Sequence, residues 1–269
     1  MRTSGLADDV PGEDDLRAVG VGLRLFVCDD KVITFWTCNG PPVPWPVGRA
    51  VLGALEAPVL MVGTDPVVVE ERLRSGMLRC PGCGDNGLAP WGHARSRSVR
   101  HRDGRVEALR PQRGRCGSCR GTHVLLPVTG LLRRADGVAV IGAALTAKAA
   151  GAGHRRIAAQ FGRAASTVRG WLRRFTARAQ EIGAVFTALL GELDPLAGPS
   201  APIGTGVGDA VDAIGRVGAA ARRRLGATTA VVGGWSPWQL ASAVTAGRLL
   251  APVGAAGAPN TSWPWAGSG

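Results

Sequence analysis

Two pairs of cysteines carry the most specific chemistry in this chain: Cys80-Pro81-Gly82-Cys83 and Cys116-Gly117-Ser118-Cys119. Each knuckle bends the backbone tightly enough for both sulfurs to face one ion, and the small residues between them allow the turn. Four thiolates at about 2.3 Å in a tetrahedron make a closed structural zinc site. The competing reading, a redox dithiol, takes a single pair at a helix N-terminus in a βαβ unit. The N-terminus is acidic (Asp8, Asp9, Glu13, Asp14, Asp15) and unlike a secretory signal. The expected setting is therefore the cytoplasm, where paired cysteines hold metal more often than they form disulfides. His93 and His123 are alternative ligands by position and read better as surface histidines. Cys28 and Cys38 have no matching partners and read as ordinary free thiols.

A second constellation is the run HRRIAAQFGRAASTVRGWLRRF, His154 to Phe175. Ile157 and Phe161 share one helical face, Ala158 is small enough for a close helix crossing, and Gly162 can take the left-handed conformation of a tight turn. Ser166 or Thr167 then caps a second helix with Val168, Trp171, Leu172 and Phe175 on one face. These spacings fit the helix-turn-helix frame, with Val138–Ala150 as the supporting helix; an ordinary αα-hairpin is the bland alternative. In the usual docking the second helix enters the major groove. Ser166, Thr167, Arg169, Gly170, Arg173 and Arg174 would then lie nearest bases or flanking phosphates, with Arg155, Arg156 and Arg163 on the backbone. Arg178 continues that basic run as a further phosphate contact, the bland reading of Arg173, Arg174 and Arg178 being a solvated helix end.

These motifs sit in the one strongly charged part of the chain. Net charge is +12, but residues 66–180 hold 22 basic and 6 acidic groups, residues 1–65 are net acidic and residues 181–269 are balanced. Such segregation is the footprint of a nucleic-acid binder. Between the knuckles, strands flanking the two-residue turn Asp103-Gly104 would form a basic hairpin that returns Cys116 to Cys83. Arg95 and Arg97, two apart, would share a strand face and contact the DNA backbone.

The elements that must hold these groups are legible to different degrees. Residues 1–64 read as a weakly ordered segment, with a short hairpin at Leu23–Trp36, a breaker cluster at Pro41–Pro46 and Met61 as an alternative start. Asp65-Pro66 opens a short helix. The zinc ribbon with its basic hairpin spans 65–130, the helix-turn-helix with an extended recognition helix 131–193, a linker 194–208, Ala-rich helices 209–250 and a disordered tail 251–269. Ser236-Pro237-Trp238-Gln239 is a capping box opening a helix to about Leu250. Val168, Leu172, Phe175, Ala179, Ile182, Phe186, Leu189 and Leu193 make an unbroken heptad seam. Its free part, 179–193, offers either a homodimer contact or packing on the chain's own C-terminal helices through Ile214, Val217, Leu225, Trp238 and Leu249; the two readings stand level.

The cysteine knuckles, the basic hairpin and Leu125-Leu126-Pro127 together resemble the N-terminal zinc ribbon of bacterial insertion-sequence transposases, and a helix-turn-helix follows at a similar distance. The run from Asp65 to Ala179 resembles a family of helix-turn-helix proteins of high-G+C bacteria. The resemblance implies DNA binding, with Cys80, Cys83, Cys116 and Cys119 as ligands of a structural zinc ion. Such transposases also carry an RNase-H-like domain with three metal-binding carboxylates. After residue 180 the acidic residues are Glu181, Glu192, Asp194, Asp209 and Asp212, in contexts with too few strands for that sheet.

The expectation is thus a small β zinc ribbon followed by a mainly α helix-turn-helix domain, in a nucleoid-associated, non-enzymatic binder of double-stranded DNA, regulatory or transposase-derived. No membrane and no small-molecule substrate are expected. The alternatives are a recognition subunit for a separate catalytic partner, and a zinc-ribbon module for RNA or RNA polymerase.

Overall fold

The computed structural model describes residues 23–28, 32–37, 59–84, 87–198, 201–225 and 234–252. Strands dominate the N-terminal half and helices follow. β1 (Leu23–Cys28) and β2 (Val32–Thr37) pair antiparallel, Leu23 opposite Thr37, so the expected hairpin forms. Its turn, Cys38, the proline cluster and residues 1–22 lie outside the described residues.

Next come β3 (Val59–Val62), α1 (Pro66–Arg74), β4 (Leu88–His93), β5 (Arg97–Arg100), β6 (Val106–Leu109), β7 (Gln112–Cys116) and β8 (Thr122–Pro127). Asp65 caps α1 as predicted, its carboxylate accepting from the Val67 and Val68 N–H groups. A four-stranded sheet runs β3-β8-β7-β4, with β3 parallel to β8 and the other pairs antiparallel. The organised chain therefore begins before Met61 and before the boundary at 64. All four residues of β3 are buried, because a run without polar alternation suits a strand covered on both faces.

β5 and β6 form a separate ribbon at the far end of the β4–β7 hairpin. Its turn is a three-residue loop, not the two-residue one expected. His101 N–H donates to Arg105 O, Gly104 N–H donates to His101 O, and Gly104 takes φ +82°. This is a type I turn closed by a left-handed glycine.

The helices are α2 (Val138–Ala149), α3 (His154–Phe161), α4 (Ala165–Thr176), α5 (Ala179–Leu193), α6 (Gly206–Leu225) and α7 (Pro237–Val244). The predicted capping box at Ser236 and Gln239 is present, though α7 ends at Val244. The helix expected to extend from Ala165 to Leu193 is not continuous. It stops at Thr176, and α5 starts at Ala179 after the two intervening residues Ala177 and Arg178. Val168, Trp171, Phe175, Ala179, Ile182, Phe186 and Leu189 are all buried in the helical core, but α4 packs mainly on α3 and α2 whereas α5 packs mainly on α6, with Gly183 close to Ala210. One straight helix cannot present a continuous seam to partners lying in different directions. The seam that offered a homodimer contact is thus occupied by the chain's own α6.

Nor do the C-terminal helices form a separate unit. Leu240, Ala241 and Val244 of α7 join the helical core, while Ala243, with Trp235, packs on Val59, Met61 and Leu126 of the sheet. Gly142 on α2 permits this docking, since a Cβ there would overlap the Trp238 indole. Ser242 Oγ also donates to Gly130 O at 2.8 Å in a buried contact. Residues 253–269, most of the predicted tail, lie outside the described residues. Among the described residues no helix is long and apolar enough to cross a membrane.

Candidate metal centre and nucleic-acid interface

The antiparallel β4–β7 pairing sets Leu88 opposite Cys116 and so returns the second knuckle to the first. The sulfurs of Cys80 and Cys119 are 3.6 Å apart, those of Cys83 and Cys116 are also 3.6 Å apart, and all four lie within 4.8 Å of one another. Sulfurs at about 2.3 Å around one tetrahedral ion would sit roughly 3.8 Å apart, whereas a disulfide needs about 2.05 Å. The donor set is compatible with a structural zinc ion.

Tight local turns build the cluster. Gly84 N–H donates to Cys80 O at 3.0 Å, and Cys116 N–H donates to Gly121 O at 2.9 Å. The knuckles are followed by left-handed residues, Gly84 at φ +77° and Arg120 at φ +63°. Cys80 and Cys116 are buried in the apolar cluster of Leu60, Val69, Leu73, Leu78, Leu88 and Leu125, while Cys83 and Cys119 face solvent. Burial pushes the Cys80 thiol up to about 12. Backbone N–H groups of the second knuckle, Cys119 first, bring Cys116 down to about 7. A metal entering at neutral pH must displace the Cys80 proton, so affinity should fall with falling pH.

His123 is not a surface residue. It is buried, and its Nε2 lies 3.3 Å from Cys80 Sγ. It stands beside the thiol cluster as a neighbour that can orient a ligand sulfur. Gly121 leaves room for it: a Cβ there would be 3.2 Å from both Cys119 Sγ and His123 Nε2. His93 is exposed, as expected.

On the helical side, α3 and α4 are joined by Gly162, Arg163 and Ala164, with Gly162 at φ 59°, ψ 42°. The Gly162 N–H closes the end of α3 on Ala158 O and Ala159 O. Ile157, Ala158, Val168, Trp171 and Phe175 are all buried, so the apolar periodicity faces inward. Ala164, not Ser166 or Thr167, is the N-cap of α4, and it makes no side-chain cap bond. Ser166 and Thr167 occupy the first turn, Ser166 exposed and Thr167 half-buried. Ser166, Arg169 and Arg173 form an exposed stripe, and Arg155 and Arg156 are exposed on α3. None of these four arginines pairs with a carboxylate among the described residues. Gly170 and Arg174 act together: Arg174 Nη1 donates to Gly170 O at 3.2 Å, in the space a Cβ would fill.

Several predicted contact residues are engaged elsewhere. Arg163 is an internal staple, 12% exposed, with Nε 2.6 Å from Asp136 Oδ1 and further bonds to Phe161 O, Gly162 O and His101 O. It cannot also hold a phosphate. Arg97 is half-buried and donates to Leu131 O, and burial lowers its pKa. Arg95 is exposed but precedes β5, so the two do not share a strand face. Arg178 is buried, forked onto Glu181, and donates to Arg248 O at 2.6 Å.

Sequence reasoning missed Asp136. It is 3% exposed and holds both Arg163 and Arg100, the latter at 3.2 Å. Arg100 N–H donates to Ala135 O, and Gly137 N–H donates to Arg100 O. The basic hairpin and the α3–α4 turn are thereby fixed to each other. The available signal was that Asp136 is the one acidic residue between Glu107 and Glu181. No family model, curated protein or solved structure matches the chain.

Proposed function

We propose that the chain is a sequence-specific binder of double-stranded DNA that reads the major groove with α4 as the second helix of a helix-turn-helix. The observation that carries this reading is the exposed stripe of Ser166, Arg169 and Arg173 on α4, whose cations pair with no carboxylate among the described residues. Guanidinium groups are suited to phosphate and to the guanine edge. Arg155 and Arg156, one helix earlier, lie where that motif meets the DNA backbone. The four-cysteine cluster, loaded with zinc, stiffens a ribbon whose basic hairpin is locked to the reading helix through Asp136. In this reading the protein acts in the cytoplasm at the nucleoid, as a regulator or a transposase-derived binder, and does no strand chemistry of its own.

The test is a pair of single substitutions on a duplex selected from a random pool. Arg169→Ala should lose about 1–3 kcal/mol and relax preference at one or two base pairs. Arg155→Ala should weaken selected and random duplexes alike and flatten the salt dependence. Equal, sequence-independent losses from both variants would refute docking through α4.

A further inference from the structure

The face of the four-stranded sheet opposite α1 divides in two. Paired residues share a face: Val59 stands opposite Val124, Met61 opposite Leu126, Arg113 opposite Val124, and Ala89 opposite Arg115, itself opposite Thr122. Val59, Met61 and Leu126 are covered by Trp235 and Ala243. Among the described residues the β7–β4 half has no such apolar cap and carries a different chemistry, with Arg113 and Arg115 half-buried. The Arg115 guanidinium lies over the Trp91 ring at 4.4 Å, yet Trp91 remains 49% exposed. No carboxylate pairs with Arg113 or Arg115 among the described residues. The segment from Leu88 to Arg102 contains four arginines and no acid.

An indole left half in water beside cations gains little from packing. An exposed indole backed on one face by a guanidinium leaves its other face for an unpaired nucleobase, with neighbouring cations to take the phosphates. We infer that Trp91, with Arg115 and Arg113, forms a stacking site for an unpaired base of single-stranded DNA, separate from the duplex-reading face of α4. The platform lies one residue pair from Cys116, so it shares the rigidity of the thiol cluster.

The experiment uses the full zinc-loaded chain and four probes: a blunt duplex, the same duplex with a short oligo-dT overhang, the oligo-dT strand alone, and an oligo-U strand of equal length. The overhang should tighten binding about tenfold over the blunt duplex, the scale of stacking one base. Trp91→Ala should abolish that gain and leave the blunt-duplex affinity unchanged, with zinc content and circular dichroism as for the wild type. Trp91→Phe should keep most of the gain. If no duplex is bound but oligo-dT still binds through Trp91, the helix-turn-helix reading fails and this inference stands. Equal wild-type affinity for blunt and overhung duplexes overturns it. So does a Trp91→Ala loss that is the same on both, or tighter binding of oligo-U than of oligo-dT.

Discussion

Cys116→Ser should reduce bound zinc from one ion per chain to less than a tenth of an equivalent, and should melt the sheet while leaving the helical core folded. Of the four clustered cysteines, Cys116 has the most attached to it. It ends β7, pairs with Leu88, meets Cys83 at 3.6 Å and sits 1% exposed in the apolar cluster beneath α1. A structural zinc ion supplies about 10–16 kcal/mol of apparent binding free energy in small peptides. A four-stranded sheet packed against one short helix on one face and only partly against Trp235 and α7 on the other has few other means of matching that. The helices α2 to α7 bury their own cluster, which includes Phe175, Phe186, Ile141 and Ile214. Two transitions are therefore expected on heating with chelator, the first read by strand, Trp91 and Trp235 signals. Elemental analysis after metal-replete expression reads the stoichiometry. A Cys116→Ser chain that keeps its zinc or its sheet would show that the cluster is not the staple.

Asp136→Ala should cost about 3–5 kcal/mol in urea unfolding, the usual result of stripping one partner from a buried ion pair. Without the carboxylate, Arg163 keeps only carbonyl acceptors at Phe161, Gly162 and His101. Its charge would remain largely out of water. Replacing both members together, Asp136→Leu with Arg163→Met, should cost much less, because no orphaned charge is left. The functional consequence follows from position. With the hairpin no longer tied to the α3–α4 turn, affinity for a selected duplex should fall more than affinity for random DNA. A loss below about 1 kcal/mol would place Asp136 among ordinary surface pairs.

Much of this architecture was legible because it rests on local rules. Asp65-Pro66 and the Ser236 box announced their helices, the apolar faces of α2, α3 and α4 pointed inward at the predicted spacings, and the knuckles implied one cluster. What escaped is what depends on tertiary partners. Arg163 was assigned to phosphate because sequence shows a charge but not the buried Asp136 that neutralises it, 27 residues away. Arg97 and Arg178 misled for the same reason, their acceptors being the carbonyls of Leu131 and Arg248. The break between α4 and α5 was invisible because a heptad seam specifies an apolar stripe and not its neighbours. β3 was missed because four buried apolar residues carry no alternation to read, and its partner β8 lies some 60 residues on.

The central claim is most directly tested by anisotropy titration of a random duplex of about 20 base pairs with the full zinc-loaded chain, from roughly 50 to 200 mM salt. Arg155, Arg156 and Arg173, with the exposed arginines of the hairpin, should neutralise several phosphates at once. The logarithm of affinity should fall linearly with the logarithm of salt, with a slope between about −3 and −6. No binding at the lowest salt, or an affinity indifferent to salt, would contradict the assignment of this basic surface to DNA.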